Sequence, residues 1–313
     1  MTSLPATSAD LVPGPGWIQV FFGGWGLWIA SVLVTFTTGN VNLVPTVILI
    51  GSFLVPVTFV AFAFRRNDAV ITAQRVFGVF LYGGALGVLG ASVLHPALSV
   101  HVSGWACPVT ALIEEAAKLA ALWLIARHLP IYRMRDGMML GATMGFSFAA
   151  FESTGYAFHA LFTSSGLPLP NLIEAQALRA VLVPVGHGLW TAVLGGVLFA
   201  TASRTSSGRP RLRLPVVGYF IVVAVLQTLW DASQAIAGWL TSMLTDTTAQ
   251  WMITSEGELP RLKPTQVPVF TVLSWGLLVQ NVLIGLTLLL HWLPVGRTPA
   301  TPTAVRAAVE ERT

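Results

Sequence analysis

Residues 111–126 read ALIEEAAKLAALWLIA: an apolar run of helical length that carries Glu114, Glu115 and Lys118 at its centre. On a helix, Glu114 and Lys118 are four residues apart and Glu115 and Lys118 three, so the lysine can neutralise a carboxylate on its own face. Glu115 is turned about 100° from Glu114, so both carboxylates meet polar surroundings only in a wide cavity or between two neighbouring helices. The remainder of the chain explains why charge sits in such a run.

The protein has 313 residues, 54% hydrophobic and 10% charged, with a mean hydropathy of +0.74. Soluble domains run at about a quarter charged, so the composition defines a membrane protein. Eight runs reach the roughly 20 apolar residues that a spanning helix needs. They fall at 17–37, 42–64, 75–95, 105–126, 137–162, 177–201, 215–240 and 268–292. Pro45 and Pro56 in the second run and Pro184 in the sixth are breaks that neighbouring helices can satisfy. The predicted architecture is therefore all-α and polytopic, with about eight transmembrane helices and a polar site among the fourth to seventh. Residues 1–16 precede the membrane domain 17–293, whose candidate catalytic half is 105–240, and 294–313 form a Pro/Thr-rich tail expected to be disordered. No Lys or Arg precedes the first run, which argues against a cleavable signal peptide. No internal repeat is evident. The 241–266 segment reads as an irregular loop.

Thirteen of the 17 basic residues follow the second, fourth, sixth and eighth runs or begin the third. By the positive-inside rule both termini face the cytoplasm of a cell-membrane protein. The pI near 9.7 thus reflects membrane orientation and excludes a nucleic-acid role. Cys107 is the one cysteine, so no internal disulfide forms. The spacings Gly83/Gly87 and Gly141/Gly145 are those of close helix packing in lipid.

Four successive runs carry polar groups away from their ends: Glu114, Glu115 and Lys118; Glu152; His187; and Gln227 with Asp231. With the orientation above, Glu114, His187, Glu152 and Asp231 all come out roughly 14–15 Å below the outer ends of their runs at 1.5 Å per residue. An ionisable group at mid-membrane costs at least ~2.5 kcal/mol and turns toward a partner or a wet cavity. One buried site lined by four helices follows. His95, His101, His128 and His291 lie near run ends and read as interfacial, and His159 sits close to the outer boundary. Arg179 begins the sixth run, with Glu174 five residues earlier as a possible partner, and is left outside the set.

A glutamate base with histidine and aspartate in a water-accessible cavity suits hydrolysis, in which a carboxylate takes a proton from water and donors or a metal stabilise the oxyanion. Glu152, His187 and Asp231 are possible ligands for a divalent metal such as zinc. No HExxH helix is present. Two other readings use the same residues. One is a proton-coupled transporter with Glu114, Glu152 and Asp231 as relay; the other is a noncatalytic adaptor that binds partner helices.

The blocks IEEAAKLAALW, GFSFAAFESTGYAF, LRAVLVPVGHGLWTAVLGG and LWDAS, in that order over about 111–235, resemble those of PrsW-type intramembrane proteases, within the CAAX-prenyl endopeptidase-like superfamily. The family's glutamate pair matches Glu114 and Glu115, and its FxxxE block matches Phe148 to Glu152. Its HxxxD block matches Gln227 to Asp231, with Gln227 where the family pattern has histidine. The departure leaves open both a hydrogen-bonding substitute and a weakened or inactive member. The resemblance implies cleavage of a single-span membrane protein, in the founding example an anti-sigma factor. One of Glu114 and Glu115 then activates water, while the other and Lys118 tune it. Glu152 with His187 completes the site, and Gln227 and Asp231 hold or polarise the scissile carbonyl.

Overall fold

The computed structural model describes residues 16–65, 71–99, 106–129, 131–161, 169–203, 210–245, 250–254 and 257–292. Nearly all of the N-terminal segment and the whole 294–313 tail lie outside them. In chain order the helices are α1 (Trp17–Thr38), α2 (Val44–Arg65), α3 (Ala73–Gly78), α4 (Gly84–Ser99), α5 (Ala106–Ala126), α6 (Met134–His159), α7 (Leu169–Val183), α8 (Leu189–Ser203), α9 (Leu214–Asp231), α10 (Ser233–Leu244) and α11 (Val267–Trp292). A π-helical turn, Val79–Gly83, joins α3 to α4, and another, Pro184–Gly188, joins α7 to α8.

Every predicted run carries helix, and the chain is all-α and polytopic. Six stretches are long and apolar enough to cross a membrane by length and composition: Trp17–Thr38, Val41–Arg65, Ala73–Leu94, Leu172–Ala202, Leu214–Asp231 and Val267–His291. The fourth and fifth runs form α5 and α6, of 21 and 26 residues. Both carry more charge than the other spans, and much of that charge turns inward. Glu115, Lys118 and Asp136 are all buried against protein.

Two expectations change. The seventh run is not one helix: α9 stops at Asp231, Ala232 takes the cap position, and α10 restarts at Ser233. The segment read as irregular holds the end of α10 and an antiparallel hairpin, Gln250–Thr254 paired with Gly257–Arg261. Trp251, Met252 and Ile253 form a short apolar run bounded by Gln250 and Thr254, a length and composition that suit a strand. The pairing runs from Gln250 with Arg261 to Thr254 with Gly257.

The central helix is α6, which packs most extensively on α8 and also on α2 and α4. Its sequence explains the position. Gly137, Gly141 and Gly145 repeat every fourth residue, so one stripe has no side chains. A Cβ at these positions would strike the backbone carbonyls of Gly195, Thr191 and His187 in turn. The α6 and α8 backbones therefore touch directly, as the glycine spacing predicts. Gly141→Val is expected to cost at least about 1–3 kcal/mol through overpacking, read as a lower unfolding temperature in detergent. Gly83 and Gly87 do the same on a smaller scale, receiving Met144 and Phe148 of α6.

Candidate active site within the helix bundle

Lys118 is the centre of the polar cluster. Its side chain is fully buried, and its Nζ lies 2.6 Å from Glu115 Oε1, 2.8 Å from His187 Nδ1 and 3.3 Å from Gln227 Oε1. An ammonium has three donors and no acceptor, so these contacts use it completely. The Phe148 ring closes the remaining side, its centroid 4.4 Å from Nζ. Glu115 is equally buried, and its second oxygen has no hydrogen-bond partner among the described residues.

The contact with Lys118 also fixes the state of His187. Because Nζ only donates, Nδ1 accepts, and the ring proton resides on Nε2. That nitrogen faces Glu152 Oε2 at 3.3 Å. Phe148 and Trp190 flank the imidazole, with centroid separations of 5.5 and 5.9 Å. His187 sits in the π turn that begins at Pro184. Proline lacks the N–H of a regular helix, and a π turn is a common way to absorb such a loss.

Glu152 shares its Oε2 between His187 and Arg179, whose Nη2 donates at 2.6 Å. Arg179 also donates from Nε to Ser153 Oγ at 2.9 Å and lies over the Tyr156 ring at 4.0 Å. Sequence reasoning left this arginine aside and suggested Glu174 as its neighbour. The structure pairs it with Glu152, 27 residues away. The available signal was that an arginine inside an apolar run demands an acidic partner at its own depth.

Glu114 and Glu115 separate clearly. Glu115 is locked to Lys118, whereas Glu114 is half-buried, and its Oε2 accepts from Gln227 Nε2 at 2.5 Å. Gln227, 1% exposed, thus bridges Glu114 and Lys118 with the two ends of one amide. Ligand atoms of Glu114, Glu152 and His187 all lie within 4.8 Å of one another. Asp231 is placed differently. It is exposed at the last position of α9 and makes no hydrogen bond or ion pair with the described residues. The candidate metal group is therefore Glu114, Glu152 and His187, with Glu114 standing where Asp231 was expected. His159 is exposed at the end of α6 and stands apart from the group.

Two carboxylates and an imidazole converge between the helices of a polytopic membrane protein, a set that offers acid–base groups and metal ligands. The comparison with known families is specific. A family model described as PrsW family intramembrane metalloprotease matches residues 14–254, well over half of the chain, and the chain belongs to that family. The match reaches beyond the four motif blocks to the first three spans and ends before α11. No curated protein and no solved structure matches the chain.

Proposed function

We propose that this protein is an intramembrane endopeptidase that cleaves a membrane-anchored protein within or beside the bilayer, using water activated by Glu114. The observation that carries the reading is the division of labour between adjacent glutamates. Glu115 is spent on Lys118, while Glu114 remains partly open and points at Glu152 and His187. A base needs access to its water, and of the adjacent pair only Glu114 has it; the other half-open carboxylate, Glu152, is held by Arg179.

In this reading Glu114 takes a proton from water as the oxygen bonds to the scissile carbonyl carbon, and returns it to the leaving nitrogen as the C–N bond breaks. Gln227 holds the Glu114 carboxylate in place. The His187 Nε2–H and the Arg179 guanidinium are the donors that face the developing oxyanion, and Glu152 orients both. Asp231, exposed at the end of α9, faces the incoming substrate segment. The arginine pattern supports a cell-membrane protein with both termini in the cytoplasm. The substrate in this reading is a single-span membrane protein.

One imidazole nitrogen and two carboxylates are ligands that zinc takes, with a position left for water, so the donor set fits the metal implied by the family. Glu114, Glu152 and His187 would hold it, and it would supply Lewis-acid polarisation of water and carbonyl. For His187 to offer Nε2, its proton must move to Nδ1, and Lys118 must give up its bond there.

The test is purified protein in detergent with single-span substrates, and mass spectrometry of the products. New peptide termini within or next to the span are expected; if chelator abolishes them and zinc restores them, Glu114, Glu152 and His187 hold a metal and His187 Nε2 serves as a ligand instead of a donor. Gln227→His is expected to retain cleavage, because an imidazole can again donate to Glu114. Intact substrate throughout, with folded enzyme, defeats the proposal.

A further inference from the structure

A second polar cavity lies on the far side of Arg179, between α2, α6 and α7. It is lined by Ser52, Pro56, Ser153, Gln176 and Arg179, and has about 10 Å³ open to the centre of a water-sized sphere. That is about the room one water needs.

The hydrogen-bond accounting around it is incomplete. Ser52 is 5% exposed, and its Oγ has no partner among the described residues. A helical serine ordinarily donates to the carbonyl four residues back. Here that carbonyl, of Ile48, is taken by Gln176 Nε2 at 2.9 Å, which also reaches Val47 O at 3.2 Å. Gln176 is held in this pose by Trp28 Nε1, which donates to its Oε1 at 3.1 Å. Gly51 leaves room for the amide, since a Cβ there would collide with it. The Ser52 carbonyl loses its own helical donor as well, because residue 56 is proline. Ser153 Oγ accepts from Arg179, and its hydroxyl proton has no acceptor among the described residues. A cavity of one-water size thus meets an orphaned hydroxyl, a carbonyl without its donor, a free hydroxyl proton and a guanidinium. A buried water typically has two to four such partners.

We infer that this seam binds one ordered water, held by Ser52 Oγ, the Ser52 carbonyl, Ser153 and Arg179. The water ties the proline break of α2 to the arginine that holds Glu152. It shares Arg179 with the proposed catalytic group but stands whether or not the chain hydrolyses peptides.

The experiment is a cryo-EM map of the intact protein at a resolution that shows ordered waters, with radiolytic hydroxyl-radical labelling read at Pro56. Wild type is expected to show a density peak within hydrogen-bond distance of Ser52 Oγ and clear labelling of Pro56. Ser52→Val, which removes the hydroxyl and fills the space, is expected to lose the peak and to label at background. An empty wild-type cavity, or equal labelling in both proteins, overturns the inference. The wild-type map decides alone if the variant fails to insert.

Discussion

Lys118→Met is expected to remove the fold rather than merely silence the site. The substitution preserves length and apolar stem but strands the fully buried Glu115 carboxylate, which has no other partner among the described residues. Breaking a buried pair from one side costs about 3–5 kcal/mol, a large share of what a domain has to lose. His187 Nδ1 and Gln227 Oε1 lose their donor in the same stroke. Thermal unfolding in detergent should show a steep drop in midpoint or no folded fraction at all. Adding Glu115→Gln should recover part of the loss, since the stranded charge is gone. A double variant no better than the single one would mean that Lys118 is held by His187 and Gln227 more than by Glu115.

The second large effect is chemical. Glu114→Gln is expected to lower cleavage by roughly 10²–10⁴-fold, the range of general acid–base catalysis, while leaving insertion and unfolding temperature close to wild type. The amide has the carboxylate's shape and can still accept from Gln227. Glu115→Gln behaves in the opposite way, because it leaves the Lys118 ammonium buried with only neutral partners, and its first symptom is instability. The two variants should therefore separate when rate is divided by folded fraction. A Glu114→Gln protein that cleaves at the wild-type rate would move the base to Glu152 or remove hydrolysis from consideration.

Much of the bundle can be read from residues alone, because apolar length is a one-dimensional property. The motif on α5, the acid on α6 and the histidine after Pro184 each announce themselves as polar groups where lipid would penalise them. What escapes is everything that depends on who faces whom. Adjacent glutamates 100° apart on a helix are equivalent in a string of letters, and only the neighbours of α5 distinguish them. Arg179 looks tied to its near neighbour Glu174, yet its partner is brought across by helix packing. Gln227 can be seen as a departure from the family pattern, but its bridging of Glu114 and Lys118 belongs to three helices at once. The break after Asp231 left no proline or glycine to mark it.

Where α6 and α8 meet, glycines bring main chain against main chain, and Gly145 lies on the carbonyl of His187 itself. Most protein interfaces rely on rotamers to absorb small errors; along the Gly137, Gly141 and Gly145 stripe the nearest neighbours are backbone carbonyls. The separation between the acid on α6 and the imidazole on the π turn is consequently set by main chain resting on main chain at Gly145. Any motion that opens the pocket to a substrate has to come from the other walls, α5, α7 or α9, while this pair stays fixed as the anvil.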